Sequence, residues 1–427
     1  MPETRSRAAF TACIAAGVLL LTLGVVTSRP EPQGAAIAAG AVPPPRPPGP
    51  YERAVGSLRE QSAALLRGDE AGWLAAVAPA LRARYRSMFR SLRALDVSRF
   101  DYRPGIGRPV RDGVEFRVEV SYCLGTDMCP GRPGSQWQEP PRIEQKLTFK
   151  PEGPRYVITS ATSAAEADPR RPAPWEDGEL AVLRGSRVTL LAAPAQRKYL
   201  PRLLPVAEAA ARADDRFAAL MGTPQSRYRI YLADDPQWRS WYGGEENDWA
   251  IGLAVPLNMY ATDVVLRMSE LDDDPEFLRV ALRHELGHVV TLAGAYRADA
   301  AEDTWLSEGI AEYIGWSPRP ASASGRRDSA RWQLRAEPAR SMIPVKPGPD
   351  APDRAGDAFY GLSHFAVDCM AQRYGERKLF TFVRLVLTQD NEYDQAARDA
   401  YGVPFSVVDQ GCAEWIRARV LSRDHAG

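Results

Sequence analysis

Two histidines four residues apart enclose a glutamate in His284-Glu285-Leu286-Gly287-His288. In a helix this spacing stacks the two imidazoles one turn apart on one face, where both reach a single metal ion, and sets Glu285 about 100° round beside them. The chain of 427 residues holds only 4 His, so half of its supply of this ligand sits in one pentapeptide. The chemistry implied is a zinc ion with an adjacent base. A catalytic zinc takes three protein ligands and leaves a fourth position for water, so a third ligand is needed. The stretch Trp305-Leu306-Ser307-Glu308-Gly309-Ile310-Ala311-Glu312-Tyr313 offers Glu308. One turn later, Glu312 is placed to accept the second ring N–H of a ligand histidine and fix its tautomer.

These residues need two helices to position them. Asp274 and Pro275 suit a helix start, and the first helix is predicted to run to about Ala293 and stop at Gly294. The second is predicted to begin at Asp303 or Thr304 and stop at Gly315. Packed antiparallel, it would aim Glu308 at the metal, with Gly309 and Ala311 small enough for close contact. The run Val264 to Met268 reads as a strand just ahead of the first helix, and its order suggests an edge able to pair with an extended peptide.

The pairing of His284-Glu285-Leu286-Gly287-His288 with Trp305 to Tyr313 resembles the gluzincin group of zinc metallopeptidases. The resemblance spans about residues 180 to 425, and residues 284 to 313 carry its specific part. It implies His284, His288 and Glu308 as ligands of Zn2+, Glu285 as the general base and Glu312 as the outer carboxylate. Nineteen residues separate His288 from Glu308, where the aminopeptidase branch has 18, and that branch's Gly-Ala-Met-Glu-Asn element is not found upstream. The segment is more similar to the peptidase MA-like domains of exported proteins, in which a Tyr-Gly-x-Ser helix follows. Here that is Tyr360-Gly361-Leu362-Ser363-His364. Tyr360 and His364, one turn apart, become the candidates for stabilising an oxyanion. A peptide or protein substrate is implied. Two alternatives use the same residues: a zinc-binding scaffold without activity, and a hydrolase acting on an amide that is not a peptide. An intact Glu285, which is a base rather than a ligand, favours catalysis over the scaffold.

The rest of the chain sets the surroundings. Its 54 basic residues balance 54 acidic ones, so the positive excess of a nucleic-acid binder is missing. Arg5 and Arg7 precede the 19-residue apolar run Ala8 to Val26, longer than the apolar core of a cleaved signal and long enough for a span. With Arg29 after the run, the charge bias predicts a cytoplasmic N-terminus and a single-pass anchor, with everything beyond outside the cytoplasm. Secretion after signal cleavage is the alternative. Residues 1–29 thus read as a signal anchor, and 30–50, rich in proline, as a stalk. Cys123, Cys129, Cys369 and Cys412 suggest disulfides in an oxidising compartment, the local pairings being Cys123 with Cys129 and Cys369 with Cys412.

From Tyr51 a helical pattern broken at Gly68-Asp69 precedes three strands: the alternating run Val114 to Tyr122, then Ile143 to Phe149 and Tyr156 to Ala161. Helices followed by an antiparallel sheet suggest an α+β unit over 51–165, loosely similar to the nuclear-transport-factor-2-like domains. A linker at 166–178 leads to the metallopeptidase-like region 179–424. There a small sheet, with strands Arg187 to Ala192 and Tyr228 to Ala233 around a helix Tyr199 to Met221 interrupted at Pro205, precedes a mainly helical part with a polar insertion from Ser317 to Asp357. The fold class expected is α+β throughout.

Overall fold

A computed structural model describes residues 47–125, 127, 139–163, 172–244, 250–259, 261–271, 274–295, 301–348 and 350–422. The apolar run Ala8 to Val26, most of the proline-rich stalk, Cys129 and the first half of the linker lie outside the described residues. No helix among the described residues is long and apolar enough to cross a membrane.

The first half of the described chain gathers helices α1 (Pro50–Arg67), α2 (Glu70–Ala75) and α3 (Arg82–Ala94) against strands β1 (Val97–Pro104), β2 (Arg108–Val110), β3 (Gly113–Leu124), β4 (Arg142–Glu152) and β5 (Arg155–Ser163). The sheet is antiparallel in the order β1-β3-β4-β5, with β2 on β3. The alternation read from the sequence survives in β3: Val114, Phe116, Val118 and Val120 are buried, as period-2 packing on one face requires. β1 and β2 were not foreseen, because Arg and Asp interrupt the apolar positions of the segment.

A second sheet follows: β6 (Ala181–Arg184), β7 (Val188–Ala192), β8 (Tyr228–Ala233), β9 (Gly252–Asn258) and β10 (Ala261–Arg267), in the order β6-β7-β8-β10-β9. β7, β8 and β10 run parallel to one another, while β6 and β9 flank them antiparallel. Its central strands are buried on both faces, which accounts for their unbroken apolar character. Leu190, Ile230 and Val264 face one core with α4 (Leu200–Met221) and the helix that carries His284 and His288. Leu191, Tyr231 and Val265, the alternate positions, join the core of the first sheet.

Two expectations are corrected here. The strand Val264 to Met268 is not an edge. β10 is bonded to β8 on one side and β9 on the other, so its backbone cannot take up a peptide, and the outer position belongs to β9. Pro205 does not interrupt its helix either, since α4 is continuous from Leu200 to Met221. The proline removes one amide donor near the N-terminus, and the buried face of Leu203, Ala207, Ala210, Ala211 and Phe217 carries the helix past it.

Beyond the sheet the chain is helical: the short α5 (Asp235–Trp238) inside it, then α6 (Pro275–Leu292), α7 (Thr304–Trp316), α8 (Arg327–Ala336), α9 (Asp353–Tyr374), α10 (Glu376–Leu387), α11 (Tyr393–Tyr401) and α12 (Phe405–Leu421). A third core joins α7 to α12, and the disulfide Cys369–Cys412 ties α9 to α12. Cys123 is also disulfide-bonded.

Candidate metal centre

α6 starts where its local chemistry says it should. The Asp274 side chain accepts from the backbone N–H groups of Glu276 and Phe277, a cap worth about 1 kcal/mol. Leu278, Leu282, Leu286 and Val289 turn one side of the helix into the core shared with the second sheet. The other side carries His284 and His288 towards α7. A Cβ on Gly287 would stand 3.4 Å from the Ala311 Cα, and one on Gly315 would stand 3.1 Å from the Val280 carbonyl oxygen. Later residues of α6 therefore meet earlier residues of α7, and the two helices are antiparallel and nearly in backbone contact. Gly309, expected to serve this contact, serves another: its Cβ would stand 2.5 Å from the Ser363 carbonyl oxygen, so it is α9 that it admits.

Three ligand atoms converge as a result. Nε2 of His284 and Nε2 of His288 are 3.1 Å apart, and Glu308 Oε2 lies 3.2 Å from the first and 3.3 Å from the second. Tetrahedral ligands about 2.0–2.1 Å from a zinc ion sit about 3.3 Å from one another, so the triangle has the edge length such an ion demands. All the ligand atoms of His284, His288 and Glu308 fall within 4.8 Å of one another. Glu308 Oε2 is buried and makes no hydrogen bond of its own. An unsatisfied buried carboxylate oxygen facing two imidazole nitrogens is costly unless a cation joins them.

The surrounding groups hold this triangle in place. His284 Nδ1 is 3.2 Å from Glu312 Oε1, and the Trp316 indole donates to Glu312 Oε2 at 3.1 Å. Ser307 Oγ stands 3.4 Å from His288 Nδ1. Burial opposes a charge on His284, but the neighbouring carboxylates of Glu308, Glu312 and Glu285 outweigh it and push its pKa up to about 10. Burial likewise opposes the charge of Glu312, yet Arg326 and His284 hold its carboxyl down to about 2. A cation bound there would compete with the proton that these carboxylates favour on His284.

Glu285 is buried, and burial raises its pKa against the opposing charges of His284 and His288. Its neighbour is β9, where a Cβ on Gly252 would come 2.3 Å from Glu285 Oε1; only glycine lets the strand's backbone approach the carboxylate so closely. A cavity beside the cluster is lined by Gly252, Val280, Glu285, Arg326 and Tyr360. The Tyr360 ring stands edge-on to His284 with centroids 5.9 Å apart. Burial, then the Glu308 charge, holds the phenol protonated. His364 is placed differently. It is fully buried, burial lowers its pKa to about 4, and it is not among the residues lining the cavity.

Arg326 is the residue that sequence reasoning missed. It comes from the polar insertion and brings its Nε to 3.4 Å from Glu312 Oε1. Its guanidinium lies 4.6 Å over the Tyr360 ring, and Nη1 donates to Asp357 at 2.9 Å. One arginine among the many of that insertion carries no spacing signal. Nor did β9, whose apolar run contains Pro256, declare itself as the strand beside Glu285.

No protein-family model and no curated protein matches the sequence. Similar solved structures include a variant of an M1 zinc metallopeptidase from Deinococcus radiodurans bound to a Tyr-Ser-Ala substrate, at 14% identity over 75% of this chain and 81% of that one, with a TM-score of 0.30. The likeness is too slight to assign fold or function.

Proposed function

We propose that this protein is a zinc-dependent peptidase, held at a membrane by Ala8 to Val26 with its catalytic region outside the cytoplasm. The observation that carries the reading is the triangle of His284, His288 and Glu308, with the Glu308 oxygen that makes no hydrogen bond as its third corner and Glu285 beside it. His284, His288 and Glu308 would hold the ion, and Glu312 would orient His284. Zinc, when bound, supplies Lewis acidity that acidifies water and polarises a peptide carbonyl. Glu285 takes the proton of the attacking water and delivers it to the leaving amine; its burial-raised pKa suits both acceptance and return. The Tyr360 phenol, kept neutral and braced by Arg326, is the donor for the developing oxyanion. His364, fully buried and not among the residues lining the cavity, is not assigned that role. The backbone of β9 offers an extended substrate a strand to pair with, beside Glu285. The Cys369–Cys412 disulfide supports an oxidising compartment.

The test is metal analysis of the purified chain together with hydrolysis of a peptide library with and without a chelator. One zinc per chain and chelator-sensitive cleavage are expected. Zinc without any cleavage would favour the scaffold reading, and no zinc would overturn the proposal. Protease accessibility of a C-terminal tag on intact and opened cells checks the placement: protection in intact cells whose surface is accessible would overturn it.

A further inference from the structure

A second cavity, of about 420 Å3, opens on the opposite face of α9 from Tyr360. At 100° per residue, Ala355, Ala358, Phe359 and Leu362 share one side of that helix, while Tyr360 and His364 share the other. Its size falls within the range of about 300–1,000 Å3 typical of small-molecule sites. The walls are Leu334 of α8, Met342 and Ile343 of the segment between α8 and α9, Phe359 and Leu362 of α9, and Ile416 of α12.

The segment forming the outer wall is pinned rather than loose. Asp409 of α12 accepts from the Ser341 hydroxyl at 2.7 Å and the Met342 N–H at 2.6 Å, and Arg417 of the same helix donates to the Ala339 carbonyl. The cavity is therefore preformed, and the Ser341 hydroxyl on its wall is already committed to Asp409. At its mouth Val345 is 92% exposed. Arg340 and Lys346 also line it, exposed, and neither makes an ion pair among the described residues. Glu337 is the acidic side chain among the lining residues.

This distribution selects an occupant. A peptide laid into the cavity would bury amide groups against apolar walls, at a cost for each unpaired donor and acceptor. An alkyl chain has none to bury, and a carboxylate at its end would meet two unpaired cations. We propose that the cavity binds a long-chain fatty-acid carboxylate, its tail against Met342, Phe359, Leu362 and Ile416 and its head group between Arg340 and Lys346.

Titration calorimetry on the full chain with saturated fatty acids of increasing length, below their micellar concentrations, tests this. Affinity should rise about fourfold per methylene, the equivalent of about 0.8 kcal/mol of burial, until the cavity is filled. The double variant Arg340→Glu with Lys346→Glu should weaken laurate about tenfold or more and leave dodecanol unchanged. Ala355→Trp, at a half-buried position of α9 that lines the cavity, should weaken both. Thermal melts confirm that each variant is folded, and Lys346→Glu alone, on an exposed side chain, repeats the head-group test if the others are not. Affinity independent of chain length, equal binding of a dodecyl trimethylammonium ion, or wild-type affinity in folded Ala355→Trp would overturn the proposal. No zinc is required for the measurement, so its failure is separate from failure of the peptidase reading.

Discussion

Two buried clusters of charge in this molecule are built to opposite rules. Where the second sheet meets the first, Arg229 bonds Asp263 through Nε at 2.7 Å and Asp127 through Nη1, and the Tyr242 hydroxyl donates to the other oxygen of Asp263. Positive and negative groups interleave, and apart from Asp127 Oδ2 the cluster is closed on itself. Between α6 and α7, by contrast, two imidazole nitrogens and a carboxylate oxygen point at one another from 3.1 to 3.3 Å. That cluster is open, and a cation at its centre would complete it. A closed cluster is expected to serve stability and an open one chemistry, because an unpaired buried charge is retained at a cost that the fold alone does not require.

The contrast breaks most readily at Glu285. Glu285→Gln would keep the shape and the proposed zinc ligands but remove the proposed base, so zinc content and melting temperature should stay unchanged while kcat/KM falls by about 10²–10⁴-fold. Full turnover in that variant, measured on the best library substrate, would reduce the open cluster to a structural metal site.

Asp263→Ala probes the opposite pole. It leaves Arg229 buried with one partner fewer, at a cost of about 3 kcal/mol in urea unfolding, and zinc stoichiometry of the folded protein should not change. If instead stability were preserved and zinc lost, the two clusters would have to exchange roles.

The open cluster was legible in the sequence because its signal is local. The spacing of His284 and His288, the Asp274 cap and the Glu308 to Glu312 step all follow from helix geometry, and a helix carries its own register. The perfect alternation in β3 was legible for the same reason. What the sequence concealed depends on partners far away along the chain. Arg326 acts on Glu312 and Tyr360 only because α7 and α9 lie side by side, and Gly309 is small for Ser363 rather than for α6. Likewise, β10 was mistaken for an edge because the strand that covers it, β9, has neither alternation nor clean boundaries. The difference between Tyr360 and His364 was equally hidden: one helical turn separates them in sequence, and only packing decides which one reaches the cavity.

A milder change sharpens what the outer carboxylate does. Glu312→Ala removes the partner of His284 Nδ1 without touching a ligand atom, and the loss expected is about 10–100-fold in zinc affinity, read by competition with a chromogenic chelator. Glu312→Gln, still an acceptor for the ring N–H, should recover part of it. A variant with wild-type affinity would mean that α6 and α7 alone hold the imidazole in place.

The smallest effect concerns a pair that lies between the two extremes. Arg283, next to His284, donates through Nε to Asp214 of α4 at 3.1 Å and through Nη1 to the Ser317 carbonyl, yet Asp214 Oδ2 is buried without a partner. Burial pushes the Asp214 carboxyl up to about 7 in spite of Arg283, whereas in the unfolded chain it would titrate near about 4. Between those values the folded protein holds a proton that the unfolded chain has released, so the contribution of this group to stability falls as pH rises from about 4 to 7. The slope is at most about 1.4 kcal/mol per pH unit, and urea unfolding at pH 5 and pH 6 would show it as a difference between the wild type and Asp214→Asn, which cannot titrate. Equal slopes in the two proteins would mean that Asp214 is already ionised across this window, its charge fully met by Arg283, and the pair would then belong with the closed cluster around Arg229.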